Sequence, residues 1–415
     1  MMTTHTMKDA YGSRSPFAAV LENARMETDK LFALVREGFL YKRPIPERHR
    51  LIFYLGHLEA FDWNQLAVLH LSEPRFHPAF DRLFEAGIDP AVGATPSDTP
   101  GDWPRVAEVI EYNHRSRSRI DHLIDHASED IIQMIIEHRL MHAETLAYIL
   151  HNMPFSQKDT PAVALPPGGA ATEGVSIKIP AGRAVLGKNR EDGFGWDNEF
   201  PEYSEQVPAF HIDKYMVTNG EYLEFVRAGA EPPFFWTLTN GAWHYRGMFA
   251  HVPLPLDSPV YVTHQEAHSY SQWKGKSLPT EAQFHRAAYG TPSSEEVRSF
   301  PWGETSPSPS QGNFDFTGWD PISVYATPAG DSAFGVSQLA GNGWEWTSTV
   351  FHPFPGFQSV PTYPGYSANF FDGEHYVLKG GSPRTASRLL RRTFRNWFRP
   401  NYPYLYAGFR CVVNQ

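Results

Sequence analysis

The chain has 415 residues, 46 of them acidic against 36 lysines and arginines, with a formal net charge of −10 at pH 7. That length allows two or three domains with sizeable cores, and the acidic balance leaves a nucleic-acid-binding face without a basic patch. No apolar run approaches the ~20 residues needed to span a bilayer, and the single cysteine, Cys411, excludes disulfides within the chain.

From the N-terminus, Met1–Ser15 is polar and lacks the apolar core of a signal peptide, so a cytoplasmic protein is expected. Apolar residues then recur every three to four positions in four segments, near Pro16–Phe39, Glu47–Leu71, Pro104–Ala127 and Glu129–Asn152. Pro74, Pro78, Pro90 and the turn-rich A-T-P-S-D-T-P-G-D run interrupt the pattern between the second and third. Four such segments predict a four-helix bundle over residues 1–153, an architecture that can hold metals on inward-facing side chains.

In the second segment, His57 shares a face with Phe53, Phe61, Asn64 and Val68. In the third, the apolar stripe runs through Val106, Val109, Ile110, Asn113, Ile120, Leu123 and Ile124. It leaves His122 and His126 on a solvated face. The fourth contains E-H-R-L-M-H-A-E, from Glu137 to Glu144, where His138 and His142 lie one turn apart on one face. Ile131, Met134, Ile135, Thr145 and Ile149 share that face, so the two imidazoles point inward. Two histidines so placed can share a transition-metal ion, with His57 a candidate third ligand, or can form a buried hydrogen-bonded pair. Glu144 or Glu59 is placed to accept a hydrogen bond from a ligating ring.

Residues 154–173, with Pro161, Pro166, Pro167, Gly168 and Gly169 and no periodicity, predict a linker. The remainder, 174–415, alternates short segments such as V-S-I-K-I and H-Y-V-L with Gly, Pro, Asn and aromatic clusters. Helices are expected near Asn219–Ala228 and His264–Gly275, and a third from Thr280, where T-E-A-Q forms an opening turn. The fold class is therefore α+β, a helical bundle followed by a loop-rich domain.

Six blocks in order give this second part a resemblance: I-P-A-G (Ile179–Gly182), V-T-N-G-E-Y (Val217–Tyr222), L-P-T-E-A-Q-F (Leu278–Phe284), G-N-G-W-E-W (Gly341–Trp346), K-G-G-S (Lys379–Ser382) and A-G-F-R-C (Ala407–Cys411). Together they resemble the sulfatase-modifying-factor family, which implies a C-type-lectin-like fold. The formylglycine-generating branch of that family works through a cysteine pair after G-G-S. Here P-R-T-A-S-R-L-L-R-R-T-F has none, which excludes that chemistry. Trp344 and Trp346 are expected to be core tryptophans.

A bundle resembling the DinB family, the HxxxHxE block and F-G-W-D-N-E (Phe194–Glu199) together look like the ergothioneine-type synthases. These are non-haem iron enzymes that use O2 to attach sulfur to C2 of the hercynine imidazole. The resemblance implies Fe(II) held by His57, His138 and His142, with Glu144 beside them. It implies a trimethylammonium pocket at R-N-W (Arg395, Asn396, Trp397), where a ring face attracts a cation. A proton-donating tyrosine would come from the loop Tyr363–Asn369, Tyr366 before Tyr363.

The chain departs from that pattern in three places. Met141, by the resemblance a candidate substrate-binding residue, stands where the family commonly has glutamine before the second histidine of the motif. R-N-W continues as F-R-P-N-Y-P-Y, and the stretch between Arg82 and Arg105 carries no basic residue. Both suggest a donor less anionic than γ-glutamylcysteine. Arg82, Arg384, Arg388 and Arg399 are expected to be solvated. The H-L-E-A-F-D-W-N block around His57 looks more like the selenoneine synthases, which join a selenosugar to hercynine. The expected partners are thus hercynine, O2 and a selenosugar or a thiol, with no nucleic acid and no membrane. An ergothioneine-type activity and a non-catalytic metal- or small-molecule-binding protein remain the alternatives. No methyltransferase segment follows before Gln415, so the ovothiol branch is not expected.

Overall fold

A computed structural model describes residues 16–85, 96–161, 169, 174–292 and 296–415. The polar stretch Met1–Ser15, part of the Arg82–Arg105 stretch and most of the expected linker lie outside them. Contacts group the chain into two compact units, Met1–Lys30 with Leu40–Arg139, and Leu31–Phe39 with Leu140–Gln415.

The first unit is helical. Its elements are α1 (Pro16–Ala33), α2 (Leu51–Asp62), the short α3 (Pro78–Leu83), α4 (Val106–Leu123) and the start of α5 (Glu129–His151). α1 ends before the expected Phe39, and the chain turns at Gly38, whose φ of +85° suits glycine. α2 begins at Leu51 and not at Glu47, because the amides of Leu51 and Ile52 are already bonded to the carbonyls of Lys42 and Leu40. It runs on into a π-helical stretch, Trp63–His70. α3 was not expected. Pro78, which breaks a helix interior, instead occupies the first position, where no amide is needed, and the His77 ring accepts from the Phe80 amide. On α4 the expected stripe shifts: Ile110 is 43% exposed, while Tyr112 and Ser116 are buried. His122 and His126 are exposed.

The second unit carries twelve strands among its described residues: β1 (Ser176–Ile179), β2 (Gly182–Leu186), β3 (Tyr203–Val207), β4 (Phe210–Asp213), β5 (Trp236–Thr239), β6 (Ala242–Arg246), β7 (His251–Pro253), β8 (Gly343–Val350), β9 (Tyr376–Gly381), β10 (Asn396–Phe398), β11 (Ala407–Gly408) and β12 (Val412–Asn414). They form sheets ordered β1-β4-β12, β10-β9-β8-β11, β2-β3 and β5-β6-β7. The helices are α6 (Asn219–Arg227), α7 (His264–Trp273) and α8 (Glu281–Tyr289), near the expected positions. Each opens on a threonine, Thr218, Thr263 or Thr280, whose hydroxyl accepts the third residue's amide while that residue's side chain bonds back.

Side chains pin the loops. The Asn342 amide, at a φ of +64°, bonds Ile322, Gln338 and Asn313 and so fixes the G-N-G turn that starts β8. Glu345, three residues after Asn342, is buried and held bidentately by Arg410. Within the expected linker, Phe155–Gln157 forms a single 3₁₀ turn. Lys158 is buried there and donates to the Leu150 and Met248 carbonyls. Cys411 is buried too, and burial pushes its thiol well above the usual range.

The capping geometry yields a direct test. Thr280→Ala is expected to lower the unfolding free energy by about 1 kcal/mol, read as a lower urea midpoint at unchanged m-value.

Candidate metal centre

His57 comes from α2, and His138 and His142 from α5. Each is at most 3% exposed. One ring nitrogen from each lies within 4.8 Å of the others, close enough to surround one ion. Aromatic neighbours hold the rings. Phe61 stacks on His138 with centroids 3.4 Å apart, and Phe53 stacks on His57 at 4.8 Å.

The His57 tautomer follows from one bond. Its Nδ1 lies 2.7 Å from the Phe84 carbonyl oxygen, which can only accept, so Nδ1 carries the proton and Nε2 presents the lone pair. Gly56 makes room for the Phe84 ring: a Cβ there would lie 2.5 Å from its Cζ. Burial lowers the His57 pKa to about 4, outweighing the Phe84 bond that favours the charged form. The ring is therefore neutral at physiological pH, the state a metal ligand needs.

The two glutamates, expected beside these rings, have other partners. Glu59 is committed to arginines: both its oxygens accept from Arg139, and Arg117 adds a third bond. Burial alone would raise its pKa, but the charges of Arg139 and Arg117 overturn that and hold it at about 2. Glu144 is buried in the second unit. It accepts from the Trp344 indole at 2.7 Å, the Ser382 hydroxyl at 2.5 Å and the Thr385 hydroxyl at 2.8 Å. Trp344 is thus a buried residue with a polar task, while Trp346 bonds only the Val262 carbonyl.

Met141, Tyr366, Tyr363, Trp397 and Asn396 all belong to the second unit. The Tyr366 hydroxyl donates to Met141 Sδ at 3.3 Å, one residue from His142. Its ring stacks on Trp196 at 4.0 Å and meets Trp397 edge-on at 5.4 Å. Tyr363 lies 5.7 Å from Tyr366. Trp397 in turn stacks on Phe351 at 4.4 Å. Asn396 is half-buried on β10, its side-chain oxygen accepting the Trp397 amide.

Arg395 departs from the expectation that it lines a substrate pocket. It is 1% exposed, and its guanidinium is taken up by both oxygens of Glu281 and by the carbonyls of Asn198 and His352. Arg384 is likewise buried, lying over Trp319 at 3.9 Å and bonding the Phe316 and Gly318 carbonyls.

Residues 21–151 match the DinB superfamily, and residues 164–415 match the sulfatase-modifying factor enzyme 1-like domain. Hercynine oxygenase of Mycolicibacterium thermoresistibile is 32% identical over 433 residues, which cover 96% of this chain and 95% of that protein. The chain belongs to the ergothioneine/selenoneine synthase family. Hercynine oxygenase of Mycobacterium tuberculosis, another relative, is 35% identical over 305 residues, 68% of this chain and 71% of that one. Ergothioneine biosynthesis protein 1 of Neurospora crassa is 29% identical over 481 residues, and the chain spans only 55% of its length.

Three imidazoles, neutral when they ligate, fit a borderline divalent transition metal, Fe(II) among them, and leave positions for further ligands; zinc accepts the same donors. A divalent metal is expected to raise the Tm of the wild-type protein but not of His138→Ala, by differential scanning fluorimetry. Gly56→Ala, which crowds the Phe84 ring and so disturbs the residue whose carbonyl holds His57, should weaken that metal response. Acid has a defined effect on the metal-free protein. The folded His57 pKa lies below its unfolded value, so the unfolded chain takes up the proton first as pH falls. Stability should therefore be lost from about pH 6.5 down to about 4. His57→Gln should flatten that part of the urea-midpoint profile.

Proposed function

We propose that the chain is a non-haem iron enzyme that joins a selenosugar to C2 of the hercynine imidazole with O2 as oxidant. The observation that carries this reading is the three-histidine cluster within a chain covering 95% of a hercynine oxygenase. His57, His138 and His142 would hold Fe(II), which supplies redox chemistry with O2 when bound.

For a selenol donor, the C2–H and Se–H bonds break and a C–Se bond forms. O2 accepts the electrons, one oxygen atom ending on selenium as the selenoxide and the other as water. The aromatic cluster supports the hercynine assignment. Trp397 offers a ring face to the trimethylammonium group, worth about 0.5–2 kcal/mol depending on desolvation, and Asn396 offers an adjacent amide. Tyr366, held between Trp196 and Trp397 beside Met141, is the proposed proton donor; Tyr363 is the neighbour that would replace it. Glu144 is a positioning residue: its bonds to Trp344, Ser382 and Thr385 fix the turn of α5 that follows His142.

The donor assignment draws on the arginines near the helical loops. Arg43 and Arg50 both bind Asp98, Arg75 binds Asn64, and Arg105 binds Glu108. With those guanidinium groups already engaged, a donor bearing two carboxylates gains little from them. The second reading, a C–S bond to cysteine or γ-glutamylcysteine, is favoured by the relatives' names.

Iron-loaded protein with hercynine and O2 is expected to consume oxygen and give a C–Se product with a selenosugar. Turnover with γ-glutamylcysteine alone would transfer the assignment to the sulfur reaction. A flat oxygen trace with every donor, iron being bound, would leave a binding protein. Tyr366→Phe should keep hercynine binding within about twofold and reduce turnover by ~10²–10⁴, measured by titration calorimetry and product formation.

A further inference from the structure

The residue between the two α5 histidines, Arg139, is completely buried. Its guanidinium grips α2 along more than one helical turn. It donates to the Leu58 carbonyl at 3.2 Å, to the two Glu59 oxygens at 3.0 and 2.9 Å, and to Asp62 at 2.5 Å. Glu59 and Asp62 are themselves 1% and 0% exposed. Arg117 of α4 binds Glu59 at 2.8 Å and Asp29 of α1 bidentately, and the Ser116 hydroxyl bonds the Glu59 carbonyl. Helices α2, α4 and α5 therefore meet at one carboxylate, and Arg117 links it to Asp29 of α1.

These contacts stand beside the metal ligands on both helices. Arg139 follows His138 directly, and Leu58 and Glu59 follow His57 by one and two residues. A helix advances 1.5 Å per residue, so a slip of α5 by one residue would carry His138 out of reach of an ion held by His57. The same slip would separate the guanidinium from Glu59. Apolar packing alone tolerates such slips, because Leu, Ile and Phe contacts are non-directional. A planar five-donor fork meeting two carboxylates is directional.

We infer that Arg139, Glu59 and Asp62 form a register clamp that holds α2 and α5 at the spacing the three histidines need to share a metal ion. They act through the ligands, as positioning residues. The inference rests on the three-histidine metal reading, and the experiment separates the two.

Co(II) serves as the probe because its visible spectrum reports coordination geometry. Wild-type protein should bind one Co(II), and His138→Ala should lose it; no binding by wild type would remove the metal reading itself. Glu59→Gln should weaken Co(II) binding on the order of tenfold or more and alter its absorption bands. The triple variant Glu59→Leu, Asp62→Leu, Arg139→Met replaces the clamp with apolar groups, an exchange that often preserves folding. It should keep a metal-free Tm near that of wild type while losing Co(II) affinity at least as far as Glu59→Gln. A folded triple variant with wild-type affinity and spectrum would overturn the clamp. If the triple variant does not fold, Glu59→Gln decides: unchanged affinity and bands would overturn it equally.

Discussion

A tridentate site assembled from two helices depends on a constraint that neither helix carries alone. The imidazoles must arrive at one point from different segments, and an ångström of sliding or a few tens of degrees of rotation destroys the convergence. The Phe84 carbonyl fixes the His57 ring, Phe61 fixes the His138 plane, and the Arg139 fork ties the backbones together. These contacts are made by the chain alone, so the geometry of the three rings is set by folding. The burial of Arg139 is tolerable only because Glu59 and Asp62 are buried with it.

The sequence reveals the clustered histidines more readily than their supports. HxxxH with inward apolar neighbours is legible because helical periodicity is local. The third helix of the second unit is legible from Thr280 and its capping partner three residues later; Thr218 and Thr263 carry the same signal, which the structure brings out. What periodicity cannot disclose is pairing at long range. Arg139 in E-H-R-L-M-H looks like a charge on a solvated flank until Glu59, 80 residues away, is found against it. Arg395 misleads in the opposite direction: adjacency to Asn396 and Trp397 suggests a shared pocket, yet Glu281, 114 residues away, claims it. One signal was available. L-E-A-F-D on α2 puts two acids into an otherwise apolar helix, and buried acids call for a buried base.

Glu144 shows the same division of labour in the second unit. Its neighbours come from G-N-G-W-E-W and from the K-G-G-S block and the threonine after it, two of the segments that carry the family likeness. Those blocks look like loop chemistry in the sequence. In the fold they supply an indole N–H and two hydroxyls to a single carboxylate on α5, so part of the loop-rich domain's sequence is devoted to one helical turn.

Cys411 has a bearing on how such a catalyst would survive its own reagents. A selenol or thiol handled in the presence of oxygen readily forms mixed dichalcogenides with accessible protein thiolates. The chain offers one sulfhydryl in 415 residues, buried just before β12 and held in its protonated, unreactive form by that burial. Were the proposed donor handled here, self-poisoning through its covalent capture would be closed off by composition and packing together.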